Sequence, residues 1–261
     1  MNMLKDRVAI ITGGAQGNGA GIAKAMAREG ATVCLWDIMD KVEETANGIK
    51  ASGLKATAFY VDVTKSDQVN QATKIIMKQL GRVDILVNNA GIYPLVPFLE
   101  VSDELLDKCW NVNVKGTWNC TRAVLPFMIE QKYGKIVNIS SVTGPLVSTP
   151  GLTPYAMSKG AISAMTRSLA LEVAAFGIKV NAILPGFIDT PGLRALAVER
   201  GNDPNQAMID TGKTIPLGRV GLCDDVGEAA VFLASENASY ITGVELVVDG
   251  GNVIQEFKGS R

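Results

Sequence analysis

Val8-Ala9-Ile10-Ile11-Thr12-Gly13-Gly14-Ala15-Gln16-Gly17-Asn18-Gly19-Ala20 is an apolar run, then a glycine-rich turn, then the opening of a helical pattern. Aliphatic residues without polar alternation suit a strand buried on both faces. Glycine lets backbone N–H groups approach an anion, and the helix behind the turn points its positive dipole end at it. Strand, glycine turn and helix in this order are the context of a phosphate cradle, with Gly13, Gln16, Gly17, Asn18 and Gly19 as its residues. Strand–helix turns also carry glycines for steric reasons alone, so the cradle needs a second observation.

That observation is Asp37, at the end of the next apolar run. A carboxylate there can accept hydrogen bonds from the hydroxyls of an adenosine ribose, and it would repel a ribose 2′-phosphate. No Arg or Lys lies within residues 15–19, and Ile38 rather than a basic residue follows Asp37. These residues predict NAD as cofactor and disfavour NADP. The alternative, that Asp37 caps the following helix, leaves the glycine turn unexplained.

Outward from this stretch the same unit recurs. Apolar, β-branched runs at 8–12, 32–37, 56–61, 85–88, 135–140, 179–184 and 245–248 alternate with helical patterns at 20–29, 66–80, 104–130, 154–175 and 224–234. Repeated β–α units predict an α/β, Rossmann-type, doubly wound parallel sheet with helices on both faces. No linker composition interrupts it, so residues 1–261 read as a single dinucleotide-binding catalytic domain. Residues 186–214 show no clear element and read as a loop or lid over a substrate.

Composition excludes much. With 25 Lys+Arg against 26 Asp+Glu the formal net charge is -1, which favours a small-molecule partner over nucleic acid or an anionic membrane. The N-terminal apolar run is too short for a signal peptide or membrane span, and a cytoplasmic location is expected. Cys34, Cys109, Cys120 and Cys223 are scattered and form no CxxC, so neither disulfides nor a metal site is expected. Histidine is absent, which removes Ser-His-Asp and Cys-His mechanisms and leaves Tyr, Lys, Asp, Glu or Cys for proton transfer.

Tyr155 and Lys159 stand four apart in a helical pattern, so they project from one face roughly 5 to 6 Å apart at Cβ. Bringing a phenol from a pKa of about 10 to near 7 requires about 4 kcal/mol. One cation at about 4 Å in an effective dielectric near 20 supplies about that much. Lys159 is therefore expected to tune Tyr155, helped by an oxidised nicotinamide. Such a spacing also arises by chance on solvated helices, and its company decides.

That company comprises Thr12-Gly13-x-x-x-Gly17-x-Gly19, Asp62-Val63, Asn88-Asn89-Ala90-Gly91, Asn113 in Asn-Val-Asn-Val-Lys-Gly, Ser140-Ser141, Tyr155-x-x-x-Lys159 and Pro185-Gly186. With these motifs in order, the chain resembles the short-chain dehydrogenase/reductase family from Lys5 to about Gly251. The resemblance implies an NAD-dependent oxidoreductase acting on CH–OH groups as an alcohol dehydrogenase or carbonyl reductase. Tyr155 would be general acid or base, Lys159 would hold the nicotinamide ribose, Ser141 the substrate oxygen, and Asn113 a water of the proton relay. It also implies Asp62 and Val63 at the adenine, Asn89, Ala90 and Gly91 beneath the nucleotide, and Pro185, Gly186, Ile188 and Thr190 around the carboxamide.

Two positions depart from the family's pattern. Asn18 stands where an apolar residue is usual, and the Ser141–Tyr155 spacing is one residue longer than the commonest, which keeps Ser140 as a second candidate. Expected walls of the substrate pocket are Tyr93, Leu146, Val147, Leu152, Phe187 and Leu193. Arg194, Arg200 and Lys213 read either as anchors for an acidic substrate or as solvated surface. Apolar excess on the long helical patterns, and the apolar tail at 241–248, imply a homotetramer, a dimer of dimers in the family. Two other readings stay open: a 3-oxoacyl-(acyl carrier protein) reductase, which would usually prefer NADP, and a non-catalytic NAD-sensing or scaffolding protein, which would be expected to have lost Tyr155 or Lys159.

Overall fold

The computed structural model describes residues 2–256. Seven parallel strands, β1 (Val8–Thr12), β2 (Thr32–Asp37), β3 (Ala56–Tyr60), β4 (Ile85–Asn88), β5 (Gly134–Ile139), β6 (Ile178–Pro185) and β7 (Glu245–Val248), form one sheet in the order β3-β2-β1-β4-β5-β6-β7. Each lies within two residues of an expected run. The chain crosses from the β3 edge back to the middle of the sheet, so the loops after β1 and β4 part from one another and open a crevice at the carboxyl ends.

Burial alternates along the strands. Ala9 and Ile11 of β1 face one core with Ile22, Met26, Leu35, Val137, Val226 and Val231. Val8 and Ile10 face the other, with Trp36, Ile76, Leu86, Val124 and Val180. The first core is covered by α1 (Gly17–Arg28), α2 (Lys41–Ala51) and α9 (Cys223–Ala234). The second lies under α3 (Ser66–Leu80), α5 (Gly116–Gln131) and α6 (Thr153–Val173). The helix α2, absent from the expected set, buries only Val42, Ala46 and Ile49 among polar neighbours. Its helical period is correspondingly faint.

Two expectations are corrected. The single helical pattern at 104–130 is α4 (Asp103–Trp110), a π-helical turn at Asn111–Lys115, and α5. A π-turn inserts a residue into the helical ladder and leaves wide carbonyls, one of which, on Asn113, accepts a hydrogen bond from Thr117 Oγ1 at 2.8 Å.

Residues 186–214, expected to hold no element, contain α7 (Pro191–Glu199) and α8 (Pro204–Lys213). Both start with a capping side chain followed by proline: Thr190 Oγ1 accepts from Leu193 N at 3.2 Å, and Asp203 Oδ1 from Gln206 N at 2.8 Å. Proline at the first helical position forgoes a bond that has no acceptor there anyway. That signal was legible in Thr-Pro and Asp-Pro, and the glycines at 192, 201 and 212 masked it. Among the described residues no helix is long and apolar enough to cross a membrane.

Candidate active site

A cavity of about 1100 Å³ opens at the carboxyl ends of the strands and extends beneath α7 and α8. At its centre the turn after β1 is held to the end of β4 by Thr12 and Asn89. Thr12 Oγ1 accepts from Asn89 N at 2.9 Å and Ala90 N at 3.0 Å, while Asn89 Nδ2 donates to the carbonyls of Thr12 at 2.9 Å and Gly13 at 3.1 Å. Gly13 has φ of 66°, and a Cβ there would come 2.8 Å from Asn89 Nδ2 and 2.9 Å from Ala90 Cα. At Gly19 a Cβ would overlap the Gly13 carbonyl oxygen. These two glycines therefore admit no side chain, and the turn stays tight.

The helix α1 begins at Gly17 after Gln16, whose side chain makes no cap. The N–H groups of its first turn have no intrahelical acceptor and stand at the cavity, donors for a diphosphate. The departure at Asn18 has a structural counterpart: its Oδ1 is buried without a hydrogen-bond partner, although the residue lines the cavity. Asp37 lies at the outer end. Its Oδ2 accepts from Ala15 N at 3.0 Å and its Oδ1 from Met39 N at 3.0 Å, so the carboxylate orders the turn and keeps lone pairs toward the cavity. It makes no cap to α2, whose N-cap is Asp40. A crowded glycine turn, unpaired helix N–H groups and a carboxylate at one end fit a dinucleotide.

At the other end, α6 carries Tyr155 and Lys159. Lys159 is buried, donates from Nζ to Ile139 O at 2.7 Å, and stands 5.6 Å from the centroid of the Tyr155 ring. Burial pushes Tyr155 up to about 12, with the neighbouring Ser141 hydroxyl pulling the other way. Burial likewise draws Lys159 down to about 8. The protein groups alone therefore do not bring the phenol near neutrality. Loss of solvent penalises the phenolate, and the neighbouring Tyr93 and Cys109 act in the same direction. The protein by itself presents a phenol that holds its proton.

Ser140 and Ser141 both line the cavity, but their hydroxyls are engaged differently. Ser140 Oγ donates to Lys159 O at 3.0 Å and lies 3.2 Å from Ser163 Oγ, so its hydroxyl is engaged by α6. Ser141 Oγ accepts from Thr143 N at 3.0 Å and faces the cavity beside Tyr155. Asn113, on the π-turn, is buried behind them: Nδ2 donates to Ile92 O at 2.9 Å and Ser158 Oγ at 2.9 Å, and Oδ1 accepts from Ile92 N at 2.8 Å. It holds the strand-end segment 91–92 against α6 beneath Lys159, whose Nζ would lie 3.7 Å from a Cβ on Gly91.

Of the residues singled out from sequence, Gly13, Gln16, Gly17, Asn18, Asp37, Ile38, Asp62, Val63, Asn89, Ala90, Gly91, Tyr93, Ser140, Ser141, Leu152, Tyr155, Lys159, Pro185, Gly186, Phe187, Ile188, Thr190, Leu193 and Arg200 line this one cavity. Gly19 and Asn113 lie behind its wall. Val147 and Leu146 do not line it and are corrected as pocket walls. A turn in which Gly144 N donates to Val147 O at 2.8 Å carries them outward, and both are largely exposed. Of the three basic residues with two readings, Arg194 is engaged by Asp189 at 2.6 and 2.7 Å and Asn205 at 2.8 Å, and Lys213 by Asp210 at 2.7 Å, whereas Arg200 reaches the cavity wall.

The family model described as Enoyl-(Acyl carrier protein) reductase matches residues 13–252. The chain belongs to the short-chain dehydrogenase/reductase family. Oxidoreductase UcpA of Salmonella typhimurium is 46% identical over 98% of each chain. The 3-oxoacyl-[acyl-carrier-protein] reductase FabG of Thermotoga maritima is 40% identical over 96% of this chain and 99% of its own. Among solved structures, Thermoplasma acidophilum aldohexose dehydrogenase in ligand-free form superposes with a TM-score of 0.89 at 35% identity, covering 97% and 96% of the two chains.

Within this short-chain dehydrogenase/reductase, sequence reasoning missed Trp36, Met39 and Val112 at the Asp37 end, and Leu95, Leu196 and Met208 toward α7 and α8, all of which line the cavity. They are ordinary apolar residues whose role comes only from where the loops carry them. Thr12 and Ser158 also escaped it, although Thr12 stands in the quoted motif. Their hydroxyls act on residues distant in sequence, Asn89 and Asn113.

Proposed function

We propose that this short-chain dehydrogenase/reductase interconverts a secondary alcohol and a ketone or aldehyde with NAD(H), Tyr155 being the general acid or base. One observation carries the reading: a single cavity has Ser141, Tyr155 and Lys159 at one end and the Asp37 carboxylate at the other. Bound in it, the nicotinamide would supply or accept the hydride. Ser141 donates a hydrogen bond to the substrate oxygen and to the charge that develops on it. Tyr155 gives its proton to that oxygen in reduction and takes it back in oxidation. Lys159 stabilises the resulting phenolate by its charge, holds a ribose hydroxyl, and passes protons toward the relay that Asn113 orders.

Residues 12–19 and 89–91 hold the diphosphate and nucleotide, Asp62 and Val63 flank the adenine, and Pro185, Gly186, Ile188 and Thr190 surround the carboxamide. Phe187, Leu152, Leu193 and Tyr93 are the substrate walls, and α7 with α8 forms the lid that excludes water. The test is NAD with a panel of polyols, steroids, hydroxy acids and acetoin-like alcohols, followed at the absorbance of NADH; no turnover with any would refute it.

Asp37 carries the choice of NAD over NADP. Asp37→Asn removes the charge and keeps one acceptor oxygen, for either Ala15 N–H or Met39 N–H. NADPH is expected to bind about tenfold more tightly to that variant, a change of about 1.4 kcal/mol, with NADH affected less. Fluorescence titration of the two reduced dinucleotides reads this, and an unchanged NADPH affinity would clear Asp37 of the role. A 3-oxoacyl-(acyl carrier protein) reductase is favoured by the FabG relative and disfavoured by Asp37. Reduction of a 3-oxoacyl carrier protein with NADPH in preference to NADH would establish it.

The assembly we propose is a homotetramer in the cytoplasm. Trp118, Met157, Leu171 and Phe176 on or next to α5 and α6, and Val244 and Val247 along the edge strand β7, are exposed apolar side chains on two separate faces. Two such faces per subunit suit a dimer of dimers. Light scattering at micromolar concentration is expected to return four times the 27.6 kDa chain mass, and a monomer would refute it.

A further inference from the structure

The wall facing the catalytic pair is a second tyrosine. Tyr93 follows the turn after β4, and its ring meets that of Tyr155 edge to face, with centroids 6.1 Å apart and planes at 71°. Its hydroxyl reaches the other way, to the lid. A Cβ built on Gly192, the second residue of α7, would overlap the Tyr93 hydroxyl and come within 3.1 Å of Cε1 and Cζ.

Gly192 has an ordinary helical backbone, not the left-handed one that calls for glycine. The reason for glycine here is therefore space, and Tyr93 occupies that space. The start of α7 is also rigidly placed: Thr190 caps it, and Arg194 ties it to Asp189 below and Asn205 on α8. These bonds tie the start of the helix, so a side chain at residue 192 would press on the Tyr93 ring. Tyr93 thus stands between two things whose separation matters to a substrate, the lid helix on one side and the Tyr155 ring on the other.

We propose that Tyr93 and Gly192 together set the height of the lid above Tyr155, and thereby select compact over bulky ketones and alcohols. Tyr93 is a specificity-determining residue and Gly192 its seat. The inference rests on the alcohol–ketone reading, and its experiment is built to separate the two.

A double-mutant cycle of Gly192→Ala and Tyr93→Ala is read in two ways. The first is limited trypsin cleavage at Arg194, Arg200 and Lys213 in the lid, on proteins shown by circular dichroism to be folded. Gly192→Ala alone is expected to speed lid cleavage about tenfold. In the Tyr93→Ala background the same substitution is expected to change it less than twofold, because the collision is gone. The second is NADH-dependent reduction of cyclopentanone, cyclohexanone and 4-tert-butylcyclohexanone. Tyr93→Ala is expected to move the kcat/KM ratio toward the bulkiest ketone by at least tenfold.

Additive effects on cleavage would overturn the seat. A coupled cycle with an unchanged ketone ratio would overturn the selectivity role. A wild-type protein that reduces none of these ketones and oxidises none of the broader alcohol panel would instead overturn the alcohol–ketone reading and the selectivity with it, while trypsin still decides the contact.

Discussion

Tyr155→Phe is expected to lower turnover by about a thousandfold while leaving NADH affinity within twofold of the wild type. The substitution removes one oxygen and keeps the ring that packs against Tyr93. Positioned proton transfer contributes typically 10²- to 10⁴-fold; the chain has no histidine, Lys159 Nζ is engaged by Ile139 O, and the Tyr93 hydroxyl is turned toward Gly192. Burial pushes the phenol up to about 12, which favours the protonated acid that reduction requires. Stopped-flow and steady-state rates with NADH and a ketone, alongside fluorescence titration of NADH, separate chemistry from binding. Retained turnover would take the proton away from Tyr155, whereas parallel loss of NADH binding would mark it as a scaffold.

Lys159 gives the second large effect, expressed through pH. At 5.6 Å from the Tyr155 ring, an ammonium in an effective dielectric of about 20 contributes about 3 kcal/mol to a developing phenolate, or about two orders of magnitude in rate. Because burial brings Lys159 down to about 8, that charge is lost as pH rises through about 8. Ketone reduction is therefore expected to fall along that limb. Lys159→Arg should move the limb upward, since a guanidinium keeps its proton, and Lys159→Met should abolish the limb together with about a hundredfold of the rate at pH 7.

The stability consequence has the opposite sense. The unfolded lysine titrates near about 10.4, so between about 8 and that value the unfolded chain binds more protons and stability rises with pH. Above about 10 the trend reverses, because an unfolded tyrosine ionises there while Tyr155 holds its proton to about 12. Urea midpoints across pH 7 to 11 should show the Lys159-dependent rise in the wild type and its absence in Lys159→Met. A flat difference between the two would mean that the buried lysine is neutral or solvated throughout.

Much of this molecule was legible locally. The apolar run 8–12, its glycine turn and the helix after it are contiguous, so their order alone implies a cradle. Asp37 follows because β2 pairs in register beside β1, Thr12 opposite Trp36, which brings the strand end to the turn. Tyr155 and Lys159 share one helix face by period alone, and the choice of Ser141 over Ser140 was readable from the strand-end pattern.

What the sequence by itself determined, then, is whatever depends on neighbours within a few residues: strand, turn, helix, and the types of side chain delivered to the carboxyl edge of the sheet. The tertiary structure alone decided that Val147 turns outward, that Arg194 is already spoken for by Asp189, that Asn113 lies inside a π-turn, and that a side chain at Gly192 would meet Tyr93. It also decided the sign of the Tyr155 shift. Desolvation and close approach sum over atoms from every element packed around a group, and those atoms are remote in sequence. A spacing of four residues places a lysine near a phenol, but only the packed cavity determines how much water the phenol has lost.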